Sequence, residues 1–194
     1  MASDDSKYRY FSEKYGQPTK AELEFIEENA IDGSGQKERP SPTDKNASKD
    51  KRTVSAQLVR DVILDNFEDA NMQKNYSGWR RNGNKVLLRN ATIVGHINLK
   101  KQEINCSLRF LNCQFEKVTF YESSVSGTVE IENCKAIRIR LERTNISGDV
   151  TIVGCQGVEI KDKPLEIIKY EPLDIIVSRA VVKGRKGINF RRVK

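Results

Sequence analysis

From Val86 onward the apolar residues recur in columns 21 positions apart. One column reads Leu87, Leu108, Val129, Val150, and another Ile97, Val118, Ile139, Ile160. Leu99, Phe120 and Leu141 repeat the same step, as do Phe110, Ile131 and Ile152; Ile104, Val125 and Ile146; and Cys113, Cys134 and Cys155. Within one period, apolar-x-apolar pairs begin at 97, 108, 118, 129, 139 and 150. Apolar-polar-apolar triplets are the period-two signature of short strands with one buried face, and helical spacing is not sustained. Ser126-Gly127 and Ser147-Gly148 open two copies of one phrase, with turn-forming residues where the chain must change direction. A repeat at a fixed step predicts a mainly β solenoid of about three 21-residue rungs over 86–163, its columns stacked ~4.8 Å apart. One rung cannot bury its own apolar face, so the ends of such a stack need caps.

Before the repeats, Val59, Ile63 and Phe67 recur at i, i+4 and i+8, with Leu58 and Val62 widening the stripe. That spacing predicts a capping helix over 53–67, with Thr53 or Ser55 as N-cap. Residues 53–85 form this helix and a polar connection in which Trp79 is expected to cover an apolar end. Residues 1–52 read as a disordered or partly helical tail: 21–30 can form a short helix, and 31–52 is almost free of apolar side chains. The cluster Tyr8, Tyr10, Phe11, Tyr15 reads as incidental composition, with a short docking motif as the sharper alternative. After Lys161 the repeat fails. Pro164 and Pro172 bracket one apolar run and Leu173 to Val177 is another, so 164–194 reads as closing edge strands followed by a basic tail.

Charge adds one candidate surface. The net charge is +7, split as −3 over residues 1–50 and +10 over 51–194. Arg179, Lys183, Arg185, Lys186, Arg191, Arg192 and Lys194 fall within the last 16 positions, with no acidic residue among them. Such a segment suits polyanion contact that neutralises phosphates without reading bases, or an acidic protein; the alternative is a solvated tail. Only Phe190 is interleaved, which weakly supports base stacking. No apolar run approaches the roughly 20 residues of a membrane span, and the first seven residues lack the apolar core of a signal peptide. A cytoplasmic setting with reduced thiols is the expectation.

Candidate chemistry is sparse. Tetrahedral zinc needs ligands converging on one point, whereas Cys113, Cys134 and Cys155 at a 21-residue step would stack in a line beside Phe110, Ile131 and Ile152 as a structural ladder. His96 is the only histidine and has no neighbouring nucleophile, and Asp149 follows a Ser-Gly corner where Thr128 stands one period earlier. No catalytic set, metal site or cofactor motif emerges, so an enzyme is not expected. The expected role is a non-catalytic protein–protein interaction module on a repeat scaffold. The alternative is nucleic-acid or other polyanion binding through the basic C-terminal segment. An exposed stack end also allows a homodimer.

The stretch Val86 to Leu99, followed by Cys106 to Phe115 and preceded by the helix at Val54 to Arg60, resembles divergent bacterial pentapeptide-repeat proteins over about residues 53–160. The resemblance implies a right-handed quadrilateral β-helix and, usually, no enzymatic activity. Some members of that family mimic duplex DNA and bind type II topoisomerases; the basic charge here argues against mimicry. The 21-residue rung departs from four pentapeptides, and the consensus survives only around Asn90-Ala91-Thr92-Ile93. A leucine-rich-repeat-like solenoid is the rival fold, since Leu108-x-Phe110-x-x-Cys113-x-Phe115 fits that phrase too. Against it, the leading leucine would fall on Asn105, Ser126 and Ser147.

Overall fold

The computed structural model describes residues 12, 14–31, 53–66, 80–81, 83–162, 167–171, 173–185 and 187–191. The chain is mainly β and its strands gather in parallel sheets, an arrangement compatible with a β-solenoid. It begins with helix α1 (Lys20–Asn29), β1 (Ala30–Ile31), β2 (Thr53–Ser55), helix α2 (Ala56–Leu64) and β3 (Arg80–Arg81), which pairs antiparallel with β1. Four turns of chain come next. The first holds β4 (Lys85–Arg89), β5 (Thr92–Asn98) and β6 (Glu103–Ile104); the second β7 (Ser107–Leu111), β8 (Gln114–Thr119) and β9 (Ser124–Val125). The third holds β10 (Val129–Glu132), β11 (Lys135–Glu142) and β12 (Asn145–Ile146). The fourth opens with β13 (Val150–Val153) and is interrupted by an antiparallel hairpin, β14 (Val158–Asp162) and β15 (Ile167–Glu171). It resumes with β16 (Asp174–Ser178) and β17 (Val181–Val182), and β18 (Ile188–Arg191) starts a fifth turn.

Successive turns hydrogen-bond in register to give three parallel sheets, ordered β4-β7-β10-β13-β18, β2-β5-β8-β11-β16 and β6-β9-β12-β17. Val129 sits on Val150 and Ile131 on Ile152, the 21-residue step of the apolar columns. Two columns need correction. Val86, not Leu87, stacks on Leu108, because Val94-Gly95 forms a bulge opposite the second turn and lengthens the first turn by one residue. The Ile97, Val118, Ile139 column continues to Ile175, not Ile160, because the hairpin intervenes. The stack is therefore four turns long rather than three. The expected basic tail is folded into it as β17 and β18, over the residues from Val181 to Arg191 that are described.

Burial shows what fills the interior. In the second turn the buried positions include Leu108 and Phe110, Cys113 and Phe115, Val118 and Phe120, Ser123 and Val125. Inward pairs thus recur every five residues, four pairs to a turn, and the third turn repeats the pattern from Val129 to Ile146. Two corners per turn are made by residues in the left-handed region. One row is Asn90, Asn112, Asn133 and Gly154, with φ of 53, 53, 53 and 66°; the other is Lys101, Glu122, Arg143 and Arg179, with φ of 51–56°. Asn and Gly accept this conformation readily; the longer side chains of the second row are held there by the strands on either side.

After five of these eight left-handed corners the next residue has a shared task. Cys113 Sγ donates to the carbonyls of Leu111 (3.3 Å) and Leu88 (3.4 Å), and Cys134 Sγ to those of Glu132 (3.3 Å) and Phe110 (3.5 Å). Cys155 Sγ does the same toward Val153 and Ile131. In the other row, directly after Glu122 and Arg143, the Ser123 hydroxyl donates to the Tyr121 and Leu99 carbonyls, and the Thr144 hydroxyl to those of Glu142 and Phe120. A small side chain with one weak donor fits the buried corner and gives a bent ladder's carbonyls a partner.

The first end of the stack is capped by side chains that stand in for a further strand. Asn29, at the end of α1, accepts from Leu87 N (2.7 Å) and donates to Leu87 O (2.8 Å), closing the edge of β4. Glu22 accepts from Ser55 N (2.8 Å) on β2 while completing a capping box with Thr19, so one carboxylate serves two helix starts. The Arg81 guanidinium donates to the carbonyls of Ile63 (2.9 Å), Gly83 (3.1 Å) and Asn105 (3.0 Å). Helix α2 is shorter than the expected 53–67: Thr53 belongs to β2, Ser55 is the N-cap, and the chain leaves the helix at Asp65 with φ 55°. Leu58, Val59, Val62 and Ile63 are buried, and α2 packs against the first turn. Lys20–Ile31 is thus part of the cap and not a tail, whereas 32–52, Phe67, Trp79, Tyr8, Tyr10 and Phe11 lie outside the described residues.

Candidate functional site

Packing divides the chain's chemistry into an inward and an outward set. Phe110, Ile131 and Ile152 form one buried column, and Cys113, Cys134 and Cys155 another. The three thiols sit at equivalent corners of successive turns, an arrangement of a line and not of a metal centre; among the described residues no cluster of three or more His, Cys, Asp or Glu is placed to hold a metal. Hydrogen bonds to the Cys113 and Cys155 thiols, together with burial, push the Cys134 thiol far above its ordinary pKa. Burial pushes Cys106 up to about 11 against the pull of Arg81. A thiol that stays protonated and covered is a poor nucleophile. Alkylation of native protein by iodoacetamide at pH 8 is therefore expected to run about a hundredfold or more slower at Cys106 and Cys134 than in denaturant. Peptide mass mapping checks this; equal native and denatured rates would contradict the packing.

His96 and Asp149 are not brought together. His96 lies on β5 in the first turn, whereas Asp149 lies at the corner between β12 and β13, two turns further along. His96 Nε2 is 2.8 Å from Thr119 Oγ1. Burial first, then the Lys117 ammonium, hold the imidazole below its ordinary pKa, against a smaller opposing pull from Glu116. A depressed histidine favours the fold in its neutral form. Its contribution is complete above about pH 6.5 and is lost as pH falls through the folded value. The imidazole resonances of His96 are expected to titrate with a midpoint below about 6.5, and His96→Gln to flatten that part of the acid stability profile. A midpoint above that value would contradict the assignment.

The outward set forms rows along the stack. Arg109 Nε meets Glu130 at 2.9 Å, and its other nitrogen meets Glu132 at 3.6 Å, the cross-rung contact expected from the columns. On the neighbouring sheet Arg138 Nε meets Asp174 at 2.8 Å and ties the fourth turn to the third. Tyr121 lies between Lys100 (5.1 Å), Arg140 (4.6 Å) and Arg143 (5.8 Å), and Arg143 meets Glu122 at 3.0 Å. Exposed and half-exposed ion pairs of this kind contribute little to stability, because solvent screens them.

The basic C-terminal residues are distributed around the last turn. Arg179 is the left-handed corner after β16, Lys183 comes directly after β17, Arg185 lies in the link to β18, and Arg191 ends β18; all four are exposed. Lys186, Arg192 and Lys194 lie outside the described residues. The sequence signalled a charged segment but not a ring of charge, because the hairpin hides the return of the repeat. Comparisons with family models, curated proteins and solved structures find no match to this chain. Among the described residues no helix is long and apolar enough to cross a membrane.

Proposed function

We propose that the protein is a non-catalytic protein–protein interaction module built on a pentapeptide-repeat-like right-handed β-solenoid. The observation that carries the reading is the division of chemistry: in the second and third turns the inward pairs are apolar side chains or a small hydrogen-bonded Cys, Ser or Thr, and the ionic groups stand in outward rows. A filled interior with ordered outer rows is suited to binding along a surface. The five-residue spacing of the inward pairs supports the pentapeptide-repeat resemblance, with one extra residue per turn. Affinity capture from the native cell at moderate salt, after nuclease treatment, is expected to recover the same protein partner reproducibly. A measured turnover with no specific partner would refute the reading.

A second reading rests on Arg179, Lys183, Arg185 and Arg191, which are exposed around one turn and suited to a polyanion. Nucleic-acid binding of this kind falls steeply with salt. Single-stranded DNA affinity that is unchanged by salt, or by reversing these charges, would exclude it.

A further inference from the structure

The two ends of the stack are unlike. At the first end Asn29, Glu22 and Arg81 occupy backbone groups at the strand edges. At the last end β16, β17 and β18 are each the outermost strand of their sheet, with no further strand beside them among the described residues. The apolar interior is also less covered there. Ile175, Val177, Val182 and Ile188 pack on the core yet stay half-buried, and Phe190 is 44% exposed, whereas Val150 and Ile152 beneath β18 are fully buried. Around this open end stand Arg179, Lys183, Arg185 and Arg191.

From these observations we infer that the last turn takes an extended acidic peptide segment of a partner protein, added as a further strand along β18. The inference rests on the binding-module reading and names where and what it binds. An unpaired strand edge offers alternating N–H and C=O groups that only another extended peptide matches. Side chains alternate across a strand, so the added strand sets apolar residues over Ile188 and Phe190 and acidic residues over Asn189 and Arg191, with Lys183 and Arg185 near its start. A nucleic acid satisfies the charges but covers neither the apolar ends nor the backbone edge. A second copy docked end to end would set one basic rim against another, a like-charge contact that opposes association.

The test uses the full chain and fluorescence anisotropy with four labelled probes: an alternating Val-Glu octapeptide, the same peptide with alternate backbone amides N-methylated, an alternating Val-Lys octapeptide, and an oligothymidine. The Val-Glu peptide is expected to bind and the other two peptides to bind about tenfold or more weakly. Lys183→Glu with Arg191→Glu, both at exposed positions, is expected to weaken the Val-Glu peptide by about tenfold while leaving the circular dichroism spectrum unchanged. Slowed hydrogen exchange at 188–191 on adding the peptide would place it on β18. No binding of the Val-Glu peptide, equal binding of the N-methylated one, stronger binding of oligothymidine, or a stable homodimer by light scattering would each overturn the inference. A native partner captured equally by wild type and the double variant would overturn it too, while leaving the binding-module reading in place.

Discussion

Phe110→Ala is expected to lower stability by about 3–5 kcal/mol. Phe110 is 1% exposed, stacks between Leu88 and Ile131 in successive turns, and lies 6.0 Å from the ring of Phe115. Removing it opens a cavity in the narrow interior, and neighbours fixed by three hydrogen-bonded sheets have little room to relax. Gln114→Ala, at an exposed outward position on β8, is expected to change stability by no more than about 0.5 kcal/mol. Denaturant unfolding of both variants checks the pair. Similar losses would mean that the inward and outward columns are wrongly assigned.

Gly148→Ala is expected to cost about 1–3 kcal/mol or more. Its cause is space and not backbone conformation. A Cβ at Gly148 would lie 2.8 Å from the carbonyl carbon and oxygen of Gly127 and 2.7 Å from Thr128 Cγ2. Gly148 N donates to Gly127 O at 3.1 Å and Gly184 N to Gly148 O at 3.2 Å, so three turns touch backbone to backbone at this corner. Separating them would disturb the adjacent ladders of β10 with β13. Ser147→Ala, exposed and next in sequence, serves as the control and is expected to stay within about 0.5 kcal/mol. A thermal scan giving the two variants equal midpoints would contradict the close corner.

The columns are legible in the sequence because stacked strands demand the same kind of side chain at the same place in every turn. Phe110, Ile131 and Ile152 announce their shared environment directly. Half of the inward pairs escape the apolar pattern, because one member is Cys, Ser or Thr, or the pair joins Cys to Ala: Cys113 with Phe115, Ser123 with Val125, Cys134 with Ala136, Thr144 with Ile146. The Cys, Ser and Thr sit at a left-handed corner and serve its carbonyls, a requirement that hydrophobicity does not record. A local bulge hides the register of the first turn, where Val94-Gly95 adds a residue and Leu87 takes a place beside Arg109 rather than over Leu108. The hairpin hides the last turn. Arg138 pairs with Asp174 rather than a residue 21 positions on, so a fixed period loses the chain just where the basic residues enter the stack. The helix before the repeats is legible as a cap, whereas the helix at Lys20–Asn29 is legible as a helix but not as part of the cap, because Asn29 and Glu22 act on backbone groups far away in sequence.

A 21-residue turn stacked in register is central to the fold, and a whole-turn deletion tests it most directly. Removing residues 113–133 joins Asn112 to Cys134, two equivalent corner junctions, and lets β11 settle on β5 and β13 on β7 with every column intact. Removing 113–132 takes out one residue fewer, so the join must either bulge by one residue, as the first turn does at Val94-Gly95, or shift the downstream strands by one position, which turns inward side chains outward. Both deletions are expected to be β-rich and less stable than the full chain, and the second is expected to be less stable than the first. Equal stability in the two, or greater stability in the second, would contradict the stacked turn.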